Sequence, residues 1–198
     1  VSLACVAGCE GTLGIGPGIH WYPGWSPPWA VDDAPVKTER IAVICRGNAA
    51  DAFSNPEIAS RLAEAVTQTI AEDWDHAEVV SQSEINAWLD NNAWNGFLEI
   101  GEAVDADIVL AIEIENYSIL DSTNTTLYRG TADLRVQTII CETGRRTPET
   151  ILPNIVYPED MPIQAVRTNS YLFSQEFVEE LSDQILQWMV DGPPEDRI

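Results

Sequence analysis

Glu113 and Glu115 stand two apart in "AIEIENY", and Asp133 follows in "TADLRV". Paired carboxylates on one strand face are what general acid–base catalysis uses, so an enzyme with a site at Glu113, Glu115 and Asp133 is one reading. Arg129 and Arg135 support a duller one, in which the carboxylates are paired across a hairpin on a solvated sheet face. Nothing else completes a catalytic set. His20 and His76 have no Ser or Cys nucleophile at a recognisable spacing, so no triad is expected. Cys5, Cys9, Cys45 and Cys141 form no Cys-x-x-Cys pair and no Cys/His cluster, which removes the usual zinc and redox motifs. "GIGPG" (14–18) follows no strand and lacks the Lys-Ser/Thr of a phosphate loop. No spaced Asp loop for calcium occurs. The expectation is a chain with no catalytic residues, no metal and no cofactor.

A hairpin must position Glu113 and Glu115. "DIVLAIEIENYSI" (107–119) sets Ile108, Leu110, Ile112 and Ile114 on one face, with Val109, Ala111, Glu113, Glu115 and Tyr117 on the other. "LYRGTADLRVQTIIC" (127–141) sets Tyr128, Ala132, Leu134 and Val136 against Arg129, Thr131, Asp133, Arg135 and Gln137. Both apolar sets are even-numbered. An even-with-even register buries both apolar faces and turns both polar faces outward.

Upstream, "RIAVIC" (40–45) reads as a buried strand. Ile58, Leu62, Val66 and Ile70 make the apolar stripe of a helix over 56–73, capped by Asn55 with Pro56 at its first position. "AEVVS" (77–81) completes a βαβ unit, normally parallel. Ser83 and Asn95 are read as caps of two short helices, "EINAWLD" and "GFLEIGEAV". Downstream, "ETGRRTPE" (142–149) is a turn and "TILPNIVYP" (150–158) an edge strand demoted by Pro153. Phe177, Leu181, Ile185 and Trp188 form the stripe of a C-terminal helix, roughly 174–190. Cys45 and Cys141 lie in apolar runs, as small core hydrophobes or, were their strands adjacent, as a disulfide. The expected fold class is α/β: a single three-layer-like domain over 40–190 with a mixed sheet. A βαβ unit, an antiparallel hairpin and an edge strand pack with helices, and 191–198 is a polar tail.

Charge narrows the partners. Ten Lys+Arg against 32 Asp+Glu give a net charge of −22, so a phosphate backbone is repelled and no nucleic-acid partner is expected. Adsorption to anionic headgroups is disfavoured in the same way. Membrane attachment would then need a hydrophobic device, and Cys9 is the candidate. Residues 1–8, "VSLACVAG", read as a residual signal peptide. Val6-Ala7-Gly8-Cys9 resembles a bacterial lipobox. The resemblance implies that Cys9 carries a diacyl group on sulfur, is cleaved at its N-terminal side and is acylated on its new amino group, palmitate being a usual chain. Glu10 rather than Asp after the Cys implies export to the outer membrane. Pro17, Pro23, Pro27, Pro28 and Pro35 break any helix between 10 and 37, so 9–39 is read as a lipidated tether. Trp21, Trp25 and Trp29 within it either lie on the domain surface or form a partner contact.

The remaining chain resembles an envelope superfamily: lipoprotein activators of penicillin-binding proteins, the curli secretion-channel subunit and the N-terminal domain of the Tol periplasmic protein. The resemblance rests on the opening "IAV" strand, Ile100-Gly101 and Ala106-Asp107 at a helix-to-strand step, and Thr143-Gly144 at a turn. Cys45-Arg46 departs from the Pro-Phe usual after the first strand, and no pore-forming insertion is present. The implied function is a membrane-tethered, periplasm-facing lipoprotein that binds an envelope protein partner without catalysis. The alternatives are the carboxylate enzyme and a structural lipoprotein of a larger envelope assembly.

Overall fold

The computed structural model describes residues 39–47, 57–74 and 77–191. β1 (Glu39–Gly47) carries Ile41, Val43 and Cys45 towards one face and Ala42 and Ile44 towards the other. Apolar residues on both faces mark a strand covered on both sides. α1 (Ile58–Asp73) crosses over to β2 (Ala77–Val79), which pairs parallel with β1. α1 buries Ile58, Leu62, Val66 and Ile70, the spacing of one helix face. Asn55 and Pro56 lie outside the described residues, and Glu57 at the N-cap makes no side-chain cap bond.

Two short helices follow, α2 (Gln82–Leu89) and α3 (Phe97–Ala103). Both caps differ from expectation. Ser81, not Ser83, accepts from the Glu84 N–H, because the chain leaves β2 two residues earlier, and Ser83 Oγ lies 3.0 Å from Ser81 Oγ. Gly96 caps α3, while the Asn95 N–H donates to the Glu99 carboxylate at 3.0 Å.

β3 (Ile108–Leu120) then pairs parallel with β1 and antiparallel with β4 (Leu127–Ile140). The expected register holds at the start: Ile108 faces Ile140, Ile112 faces Val136, and Ile114 faces Leu134. A bulge at Glu115 then shifts the pairing, so Asn116 faces Asp133 and Tyr117 faces Ala132. Past an extra residue the alternation inverts. Tyr117 thus turns into the core, 7% exposed, instead of lying beside Glu113 and Glu115. The outer edge of β4 is covered piecewise by β5 (Arg145–Arg146), β6 (Thr150–Tyr157) and β7 (Ile163–Gln164). Within the expected turn 142–149, Arg145 and Arg146 thus add a short strand. α4 (Ser170–Asp191) runs back across the sheet, beginning earlier than its apolar stripe alone indicates.

The seven strands form one mixed sheet in the order β2-β1-β3-β4, and the described residues build a single α/β domain with four helices. α1 and α4 cover one face along its length, over Ile41, Val43, Leu110, Ile112 and Leu134. α2 and α3 cover the other face at one end only, over Ala42, Ile44, Val109, Ala111 and Ile139. Val109 and Ala111 were expected to face outward with the glutamates; they are buried under these two helices instead. The domain is three layers deep at the start of β3 and two layers deep at its far end. Cys45 belongs to the first core and Cys141 to the second, and both are free.

Gly101 shows how tightly α3 sits on β3. A Cβ there would lie 2.3 Å from Val109 Cγ2 and 2.8 Å from Cys141 Sγ. Alanine gains about 1 kcal/mol of helix propensity over glycine, but overpacking a dense site costs about 1–3 kcal/mol. Gly101→Ala is therefore expected to lower the unfolding free energy by up to about 2 kcal/mol net, read as a lower urea midpoint at unchanged slope. Adding Val109→Ala should recover less than all of it, since the Cys141 contact persists.

Candidate functional site

The two-layered end leaves one face of β3 and β4 uncovered, and this is where Glu113, Glu115 and Asp133 lie. Each carboxylate already has a partner. Arg46 of β1 pairs with Glu113. Arg135 of β4 pairs with Glu115 and, at 2.7 Å, with Glu149. Asp133 accepts from Asn116 Nδ2 at 2.6 Å and from the Asn154 N–H at 2.7 Å. The second of these holds Asn154 at φ 51°, a conformation asparagine tolerates. Arg129 was expected beside the glutamates but reaches away, donating to the Glu159 carbonyl at 2.7 Å. Glu113 faces Arg135 in register, yet its ion pair is with the strand on its other side.

Arg46, Phe97, Glu113, Arg135, Arg146 and Glu149 line much of a recess of about 190 Å³ on this face. The Arg46 guanidinium lies over Phe97, 4.8 Å from the ring centre, and 6.0 Å from that of Trp94. The side chains of Glu113 and Glu115 are about a third exposed. This is a cross-strand ion-pair ladder, of the kind that contributes little individually. Burial raises the Cys45 thiol far above its usual range, with Glu113 adding to the effect, and pushes Cys141 up to about 11. Both thiols stay protonated at neutral pH and are poor nucleophiles. Among the described residues no group of three or more His, Cys, Asp and Glu side chains is placed to hold a metal ion. His20, His76, Cys9 and the tryptophans at 21, 25 and 29 lie outside the described residues.

A second feature is absent from the sequence reading. Five large apolar side chains are exposed near the hairpin tip: Leu120 (42%), Met161 (77%), Val166 (90%), Tyr171 (63%) and Leu172 (48%). Strand pairing gathers them. Leu120 faces Tyr128, and Tyr128 faces Ile163 of β7. The Ala165 N–H donates to the Thr126 carbonyl, which sets Val166 at the tip. The Tyr128 ring stacks on Phe173 at 5.2 Å, which brings the first turn of α4, with Tyr171 and Leu172, to the same end. Arg61 of α1 lies over Tyr171 at 5.1 Å. Clustered exposed apolar side chains mark an interaction surface.

The described chain enters at the opposite end. Ile41 of β1 faces Ile108, the first residue of β3, whereas Leu120 is its last. At about 3.3 Å per residue the two ends of β3 are ~40 Å apart. No helix among the described residues is long and apolar enough to cross a membrane.

No family model matches the sequence, and no curated protein matches it. Several solved structures do resemble the fold. A PelC dodecamer from Paraburkholderia phytofirmans is 9% identical over 80% of this chain and 91% of that one, with a TM-score of 0.47. The lipoprotein GNA1162 from Neisseria meningitidis is 12% identical over 75% of this chain and 99% of that one, at 0.45. The LpoB C-terminal domain from Salmonella enterica is 16% identical over 62% of this chain and 86% of that one, at 0.39. A lipoprotein and an LpoB domain are thus among the structures to which this chain is similar.

Proposed function

We propose that this chain is a lipoprotein of the cell envelope, tethered through Cys9 and facing the periplasm, with the outer membrane as its favoured site. It binds a protein partner and performs no chemistry. In this layout 1–8 is the remnant of a signal peptide, 9–39 the lipidated tether, 40–190 the binding domain and 191–198 a tail. The observation that carries the reading is polarity along the sheet: the described chain enters at one end, and five of the six exposed large apolar side chains of the described residues lie towards the other, Ile151 of β6 being the exception. A domain held by its entry end presents the apolar end away from the anchor. The carboxylate enzyme loses its support because Glu113, Glu115 and Asp133 are each occupied by neighbouring side chains or backbone.

The segment 10–37 spans ~30 Å as a coil and up to ~85 Å as polyproline. Either length holds the acidic domain of a chain of net charge −22 clear of anionic headgroups. Replacing 10–37 by an equally long Gly/Ser segment is expected to keep membrane attachment and most partner binding. Deleting most of it is expected to keep attachment and lose partner engagement. Co-purification from membranes after crosslinking in cells checks both. If the Gly/Ser exchange alone abolishes binding while circular dichroism shows a folded domain, Trp21, Trp25 and Trp29 are themselves a recognition element and the spacer role is wrong.

A further inference from the structure

The structure assigns a partner chemistry to the apolar end: we infer that Leu120, Met161, Val166, Tyr171 and Leu172 dock on a protein surface of net positive charge that offers an apolar cleft. This rests on the binding role proposed above and adds which face engages and what it engages. Three other occupants fit less well. A second copy of this chain would bring −22 against −22. An anionic lipid surface meets the same repulsion. The chain's own tryptophans are short of reach. Trp29 is ten residues from Glu39, so an extended chain carries it ~35 Å at most, against ~40 Å or more from the entry end to the tip.

The rim of the apolar end carries both signs of charge, Asp121, Glu159 and Asp160 beside Arg61, Arg129 and Arg167, with Glu57 one turn before Arg61 on α1. Asp121 keeps its charge: the Thr123 hydroxyl and N–H both donate to it and hold its carboxyl below the usual range. The sign of the partner is therefore set by the field of the whole molecule, which speeds approach of a basic surface and slows an acidic one. Apolar contact then supplies the short-range part.

A photo-crosslinking amino acid placed at Val166 in the full chain, and separately at Glu78 near the entry end, tests this in intact cells. The expected result is a protein adduct from position 166 and none from 78, with an adducted protein of net positive charge. Titrating that purified protein, Val166→Asp should weaken binding about tenfold or more, with circular dichroism unchanged because the site is exposed. Raising salt from about 50 to about 300 mM should weaken wild-type binding by a comparable factor. An adduct of twice the chain mass, a lipid adduct, an acidic or salt-insensitive partner, or no adduct from 166 would overturn the inference. A protein adduct from 78 alone removes this inference and leaves the binding role standing.

Discussion

Phe177→Ala is expected to cost the domain about 3–5 kcal/mol, among the largest losses available to a single substitution here. The ring is fully buried between α4 and the sheet. It stacks on Tyr117 at 5.5 Å and on Tyr157 at 6.3 Å. Each such ring pair adds roughly 0.5–1.5 kcal/mol beyond the area it buries. Its seat is made by Gly130 of β4, where a Cβ would lie 2.6 Å from the ring atoms. Removal leaves a cavity under Tyr117, whose hydroxyl is 2.9 Å from Ser174 Oγ and so resists collapse into the gap. In a domain of this size the loss should appear as a fall of roughly 6–20 °C in melting temperature. Phe177→Leu should cost less than half as much. If Phe177→Ala loses under about 1 kcal/mol, α4 does not pack on β4 through this ring.

The parts of this fold that were legible in the sequence are those set by local alternation. Ile108, Leu110, Ile112 and Ile114 occupy the core face, and the even-with-even pairing to β4 is as expected. Where the alternation fails, the cause lies across the sheet. The bulge at Glu115 is a property of the β3–β4 pairing, and nothing in "EIENY" alone announces that Tyr117 will turn inward. Val109 and Ala111 did carry a signal. Apolar residues on both faces of a strand's first half mean cover on both sides there, and α2 and α3 supply it. Ser81 carried one too, since it precedes Glu84 by three residues, the spacing of a capping box.

The candidate site divides in the same way. The charged face could be read because Glu113, Glu115 and Arg135 alternate on known strands. Its outcome turned on Arg46 and Glu149, which lie far off in sequence and reach the site only through β1 pairing and the approach of 145–150 to β4. The apolar end could not be read at all. Leu120, Met161, Val166, Tyr171 and Leu172 belong to three separate stretches, and each looks like an ordinary surface residue until the antiparallel ladder of β3, β4 and β7 collects them.

The proposed tether through Cys9 would decide where that end points, and its loss is expected to be all or none. Acyl chains bind membranes at ~0.8 kcal/mol per buried CH₂, and two or more give stable anchoring where one does not. A chain of net charge −22 has no electrostatic reason to remain on an anionic bilayer once they are gone. The most direct measurement is fractionation of cells fed labelled palmitate and expressing the full chain, Cys9→Ala or Cys5→Ala. Wild type and Cys5→Ala should carry label and sediment with membranes. Cys9→Ala should carry none and stay in the soluble fraction, with the circular dichroism of a folded domain. A Cys9→Ala chain that still sediments with membranes, or a wild-type chain that takes up no label, would contradict the account.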